Sequence, residues 1–359
     1  MATNVKEPVA AAPASSKNGS SKNGSSKNGS TKAADSKAAD SKAANSKVAD
    51  SKAADSKTGG PLISNEKLKL LYSTMLQCRL LEEKAQGLKK TARFKGRYYA
   101  AAGHEAAFVG AAIDLRPEDA VAPSHLDFIP NFIKGVPLNV LFSQINGRAT
   151  GPGRFSAQAV YSSTAPTTLA AQLNIGNGIA LANKMRKNDN LVVAFFAADA
   201  ASLDAASLDS LQEALSFAGA QDLPIVFVCQ NNLAVSQNNL GATSRQLQSP
   251  TKQLPSPTKI EEINRMAQAC GFPGIPVDGQ DVVAMYRVAY ESMQRARNGG
   301  GPTLIEAMTA GNAMPGSDND PITAMERYLT QRNLFEPAWK QQIKKSFGKE
   351  LDEAIRVAG

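Results

Sequence analysis

LVVAFFAADAASLDAASLDSLQEALSFAGAQDLPIVFVCQNN, residues 191–232, holds two apolar runs with a helical pattern between them. The first run, Leu191 to Phe196, leads to Asp199, and the second, Pro224 to Cys229, leads to Asn231 and Asn232. Runs this short and this apolar suit strands buried on both faces, and the helix from Leu208 to Ala220 lets two of them lie parallel. In a parallel sheet both polar ends emerge on one edge, where such sheets bind their ligands. A carboxylate and an asparagine amide there, with a backbone carbonyl just beyond, make a set of oxygen donors suited to Mg2+ and, through it, to a diphosphate. The same residues also read as local structure alone, with Asp199 capping the helix and the asparagines forming a turn.

Working outward, the pattern repeats. Ala120 to Pro123 and Thr303 to Met308 are further apolar runs, and helical spacing covers Leu169 to Met185, Ile260 to Cys270 and Asp281 to Arg297. The last of these opens on Asp281 as cap, places Val282, Met285, Val288, Ala289 and Met293 on one side, and stops at Gly299. Upstream, Ser64 caps a long amphipathic helix that carries Leu68, Leu71, Met75 and Leu76. Strands alternating with helices predict an α/β fold, a parallel sheet flanked by helices on both faces. Two tandem duplications, DAASLDAASLD at 199–209 and SPTK at 249–252 and 256–259, read as slippage insertions in loops.

Residues 1–60 differ in kind. From Ser16 they run in pentads with a lysine at every fifth position from Lys17 to Lys57, and they offer only Val5, Val9 and Val48 as branched aliphatics. Such a segment cannot bury enough surface to offset its chain entropy, so a disordered tail is expected before a single domain over 61–359. The tail holds ten lysines against five acids, which accounts for five of the eight net positive charges. The body is close to neutral and nowhere interleaves aromatic with basic residues, so neither nucleic acid nor a membrane surface is an expected partner. Cys78, Cys229 and Cys270 lie far apart, outside metal-ligand spacing, and read as reduced and structural. Nothing near the N-terminus is long enough for a signal core, and no stretch approaches a membrane span, which makes the cytoplasm the expected location.

The order of these segments from 65 to about 330 resembles the α subunit of the thiamine-diphosphate-dependent first component of 2-oxo acid dehydrogenase complexes, of pyruvate and branched-chain type. The opening helix with Arg79, Glu82 and Lys84, the phrase Gly103-His104-Glu105-Ala106, Gly135 followed at twelve residues by Gly147-Arg148, and VDGQDV with RARNGGGPTLIEAMT (277–282 and 295–309) carry the likeness together. The resemblance implies a thiamine-diphosphate-binding fold with the cofactor held through Mg2+. On it, Asp199 with Ala200 occupies the place of a Gly-Asp-Gly turn, Asn232 is the second metal ligand and the carbonyl of Ala234 the third. Thr167 and Leu169 fall where main-chain contacts to the aminopyrimidine are made. Asp204 is the alternative to Asp199, because the duplication shifts the spacing. In such proteins a β subunit completes the site and supplies the activating glutamate, so the resemblance implies a β subunit as partner in a heterotetramer, with the acyl group passing to the lipoyl arm of a dihydrolipoyl acyltransferase core.

Several expected side chains have changed. Both glycines of the turn are alanine, Ala198 and Ala200; the phosphate-binding arginine falls on Leu126 and its preceding tyrosine on His125; a Gly-Ser-Met-His stretch reads Gln158 to Tyr161. The loop after TLIEA, where the resemblance places a histidine near the reacting carbon, contains none between Ala310 and Pro321, and Asn312 is its amide closest to that point. Asparagine hydrogen-bonds but does not exchange a proton near neutral pH. No catalytic residue is therefore assigned. Two readings of His104 stand, a site residue and a buried, hydrogen-bonded packing residue. At the level of the whole chain, a catalytically degenerate structural or regulatory subunit stands beside the active enzyme.

Overall fold

The computed structural model describes residues 63–90, 102–122, 124, 126, 128–146, 168–198, 205–231, 263–309 and 316–358. The chain divides into two units, Met1–Lys57 and Thr58–Gly359, and every described residue belongs to the second. The pentad tail lies outside the described residues.

Among the described residues five strands form one sheet: β1 (Ala120–Val121), β2 (Val192–Ala198), β3 (Ile225–Asn231), β4 (Gly274–Asp278) and β5 (Thr303–Met308), in the order β1-β2-β3-β5-β4. All four pairings are parallel. The expected alternation of faces is explicit in the packing. Val193, Phe195, Val226, Val228, Ile305 and Ala307 enter one apolar cluster, whereas Val192, Ala194, Phe196, Ile225, Phe227, Cys229 and Leu304 enter another on the opposite face. Both faces of β2 and β3 are therefore buried, as their unbroken apolar sequences require.

The helices divide between these two clusters. On the first lie α1 (Asn65–Lys89), α2 (Glu105–Ala112), α8 (Val282–Arg297), α9 (Pro321–Gln331) and α10 (Pro337–Ala358), with the short α3 (Phe128–Ile133) and α4 (Leu138–Ile145) alongside. On the second lie α5 (Leu169–Met185), α6 (Ala205–Ala220) and α7 (Ile263–Ala269). Topology explains the split. The chain steps outward from β1 through β2 and β3 to β4 with α5, α6 and α7 on one face, then steps back from β4 to β5 with α8 on the other. Right-handed crossovers place helices on opposite faces when the direction of travel reverses.

Local signals act where they were expected. Ser64 accepts a hydrogen bond from the Lys67 amide at 3.2 Å at the start of α1, and Asp281 accepts from Val283 and Ala284 at 2.8 and 3.1 Å at the start of α8. The three cysteines are free thiols. One strand has no counterpart among the sequence expectations. β4, GIPVD, sits at the sheet edge, is only half buried, and carries Pro276 where a central strand would need an amide donor.

Helices α2 and α8 cross closely at Gly110. A Cβ there would stand 2.6 Å from Cβ of Met285 and 2.9 Å from the amide nitrogen of Tyr286. Gly110→Ala is expected to destabilise the chain by about 1–2 kcal/mol, because the overpacking outweighs the gain in helix propensity. The check is the midpoint of urea denaturation, which an account without this close crossing would leave unchanged or raise.

Candidate cofactor site at the strand ends

Register places the carboxyl ends level. Ala198 pairs with Asn231, Asn231 with Met308, and Met308 with Asp278, so four neighbouring strands finish together. The next residues along β2 and β3 are Asp199 and Asn232. These two, with Ala200, Ala234, Asp204 and Thr167, lie outside the described residues, and the strands that lead to Asp199 and Asn232 are adjacent. Leu169 is the first residue of α5, half buried against the second cluster, and Thr168 before it caps the helix by accepting from the Ala171 amide at 3.3 Å. At this position the Leu169 amide is one of the donors that a helix leaves unpaired at its N-terminus.

Polar groups gather at this edge although it is buried. Gln230 is 3% exposed, and its side-chain nitrogen has no hydrogen-bond partner, an orphaned donor at the end of the central strand. The side-chain nitrogen of Asn231 donates to Oε1 of Glu306 at 2.5 Å, and its carbonyl accepts from the Thr309 amide at 3.0 Å. Oε2 of Glu306 accepts from the Asn264 amide at 3.1 Å. Burial, reinforced by Glu306, pushes the Cys229 thiol above its ordinary range, which keeps it protonated and unreactive. Glu306 is an acid inside an otherwise apolar strand, and that is the one sequence signal that could have marked this network, since a buried carboxyl group needs donors.

A second buried network stands near the N-terminus of α2. Gly103 takes φ +90° and donates its amide to Oε2 of Glu105 at 3.0 Å. Arg79 from α1 holds Glu105 through two nitrogens and reaches Oδ1 of Asp320 at 2.8 Å. Asp320 also accepts from Gly316 and Thr323 and caps α9, so Arg79 ties together α1, α2 and the end of the segment that leaves β5. Burial opposes the charge on Arg79, but Glu105 and Asp320 outweigh it and hold the pKa above its usual value. For Asp320 the same contest ends below the ordinary carboxylate range, burial raising it and the donors from Arg79, Thr323 and Gly316 lowering it further.

His104 precedes α2 and is 9% exposed, with a buried Nδ1 that has no hydrogen-bond partner. It is thus buried without being hydrogen-bonded through that atom, a combination neither sequence reading described. Leu126, at the place where the resemblance puts an arginine, is 8% exposed and belongs to the first apolar cluster, its amide donating to Oγ of Ser124 at 3.0 Å. Ala198, in place of the first glycine, is fully buried in the second cluster, so its methyl group packs into the core. A cleft of about 420 Å³ bounded by Asp278, Asp281, Asp318 and Tyr328 opens beside β4. β5 separates it from the ends of β2 and β3, and its carboxylates already accept from Gln280, from the α8 amides and from Arg327. Among the described residues no group of three or more histidine, cysteine or acidic side chains could hold a metal. None of the described helices is long and apolar enough to cross a membrane.

Burial pushes the His104 imidazole down to about 4 from an ordinary value of 6.5. Because the folded pKa is the lower one, the associated stability is fully present above about pH 6.5 and is lost as pH falls through that value toward 4. His104→Gln is expected to remove a loss on the order of 3 kcal/mol between those limits. Denaturation midpoints of wild type and variant across pH 4–7 test this, and parallel curves would contradict it.

Comparison with known proteins agrees with this architecture. The profile of the family described as "Dehydrogenase E1 component" matches residues 72–310. The chain is 31% identical over 260 residues to the alpha subunit of acetoin:2,6-dichlorophenolindophenol oxidoreductase of Bacillus subtilis, covering 70% of this chain and 72% of that protein. It is 29% identical over 318 residues to the pyruvate dehydrogenase E1 component subunit alpha of Bacillus cereus, covering 83% and 78%. To the chloroplastic pyruvate dehydrogenase E1 component subunit alpha-3 of Oryza sativa it is 28% identical over 328 residues, covering 82% and 73%. The parallel sheet, the level strand ends and these matches agree, and the chain belongs to the dehydrogenase E1 component family as a divergent relative of its thiamine-diphosphate-dependent α subunits.

Proposed function

We propose that this chain serves as the α subunit of the first component of a 2-oxo acid dehydrogenase complex, holding thiamine diphosphate through Mg2+ at the carboxyl ends of β2 and β3. The observation that carries the reading is the register of Ala198 with Asn231, which delivers the chain to Asp199 and Asn232 from neighbouring strands at one level. A carboxylate, an amide oxygen and the Ala234 carbonyl form a donor set that suits a hard divalent cation. The orphaned amide of Gln230 adds an unused donor at the same edge. These features fit the diphosphate end of the cofactor, and Thr167 and Leu169 offer main chain to its aminopyrimidine. When bound, the cofactor supplies a nucleophilic carbon that adds to the 2-oxo carbon so that carbon dioxide can leave.

A β subunit completes the site in this proposal, in a cytoplasmic heterotetramer, and the acyl group is passed to a dihydrolipoyl acyltransferase core. Residues 1–60 act as a solvated linker ahead of the 61–359 domain. One observation favours a second reading, a structural or regulatory subunit without turnover. Leu126 is packed in the core, where it offers no cation to a phosphate, and the segment after β5 has no histidine.

The two readings separate in one experiment with the full chain, its β subunit, thiamine diphosphate and Mg2+. Calorimetry is expected to show cofactor binding that Asp199→Asn weakens at least about tenfold, with Asp204→Asn within about twofold of wild type. Dye reduction dependent on a 2-oxo acid marks the active subunit, and binding without reduction marks the degenerate one. A complex that forms yet binds no cofactor contradicts the proposal.

A further inference from the structure

We infer that Glu306 is a positioning residue: it fixes the carboxyl end of β3, and with it the direction in which Asn232 is presented to the metal and diphosphate. The inference rests on the cofactor reading above. Glu306 lies in β5, between the central strand β3 and the edge strand β4, is 1% exposed, and faces the cluster shared with α7. Its two oxygens are divided between two partners. Oε1 accepts from the side chain of Asn231, the last residue of β3, at 2.5 Å, and Oε2 accepts from the amide of Asn264, the second residue of α7, at 3.1 Å. One side chain therefore binds both Asn231, immediately before Asn232 in the sequence, and Asn264 at the start of α7.

Packing alone would not select an acid here. In register with Cys229, Glu306 occupies a position at which Leu304, two residues earlier on the same face, is apolar. Burying a carboxyl group is costly unless donors meet it, and both donors come from the chain on either side of 232–262. The backbone of Asn231 is held independently, since its carbonyl accepts from the Thr309 amide. The side-chain bond to Glu306 thus adds orientation to a strand end that the ladder already keeps in place.

The donor pattern supplies the test. In Glu306→Gln the amide oxygen can keep the Asn264 N–H, but the new NH2 group then meets the Asn231 NH2 donor against donor unless the Asn231 amide turns over and gives up its present orientation. Combining it with Asn231→Asp restores both bonds: the new amide at 306 donates to the new carboxylate at 231, and its oxygen accepts from Asn264. Two readouts are taken on the full chain with its β subunit. Hydrogen exchange is expected to rise about tenfold over 225–231 and 263–269 in the single variant, with α1 and α8 unchanged, and to return to within about twofold in the double. The Mg2+ concentration needed for half-maximal thiamine diphosphate binding is expected to rise roughly tenfold in the single variant and to recover in the double.

Unchanged exchange at both ends overturns the inference, and so does changed exchange with unchanged Mg2+ dependence, which marks a purely structural bond. A double variant as weak as the single also overturns it. Absence of cofactor binding by the wild-type complex defeats the cofactor reading and the positioning role together, and is distinguishable because the exchange pattern still reports the clamp.

Discussion

Val192–Ala198 of β2 and Ile225–Asn231 of β3 pair residue for residue, with nearly every position buried. The other features of the domain depend on that register. A one-residue slip of β2 against β3 would turn Phe195 toward α5 and α6 and Phe196 toward α1 and α2, exchanging what that strand gives to the two clusters. It would also separate the levels of Ala198 and Asn231. The same apolar pairing that stabilises the core therefore keeps the ends of β2 and β3 together at one edge.

Two buried polar networks stand against this apolar background, and each ties distant parts of the chain together. Arg79 joins α1 to the start of α2 and to the cap of α9, while Glu306 joins the end of β3 to the start of α7. Networks of this kind are stable only when every member is satisfied, so they resist drift in segment position more than they add net stability. His104, beside Glu105, has an Nδ1 without a partner and a pKa lowered by burial, and it contributes acid sensitivity next to the Arg79 network.

Much of the fold was legible in the sequence because its signals are local. The apolar runs of β2, β3 and β5 and the caps Ser64 and Asp281 need no distant partner to be read. β4 escaped because GIPVD is short, half exposed and interrupted by Pro276, which an edge strand tolerates. The networks escaped because their partners are separated by 26, 241 and 75 residues, and only folding reveals who meets whom. At the site, the resemblance drew attention to Leu126 as a missing arginine, and the structure adds that this side chain is part of the core. Ala198 likewise became intelligible only in three dimensions, since its methyl group has a packed apolar environment of its own.

We propose that the ends of β2 and β3 hold a divalent cation together with a diphosphate. Mn2+ can replace Mg2+ as a paramagnetic probe of such an oxygen-donor site. The most direct measurement is electron paramagnetic resonance of Mn2+ titrated into the full chain with its β subunit, with and without thiamine diphosphate. About one bound Mn2+ per α chain is expected, seen only with the cofactor present and lost in both Asp199→Ala and Asn232→Ala. Mn2+ binding indifferent to the cofactor or to both substitutions, or no bound Mn2+ at all, would contradict it.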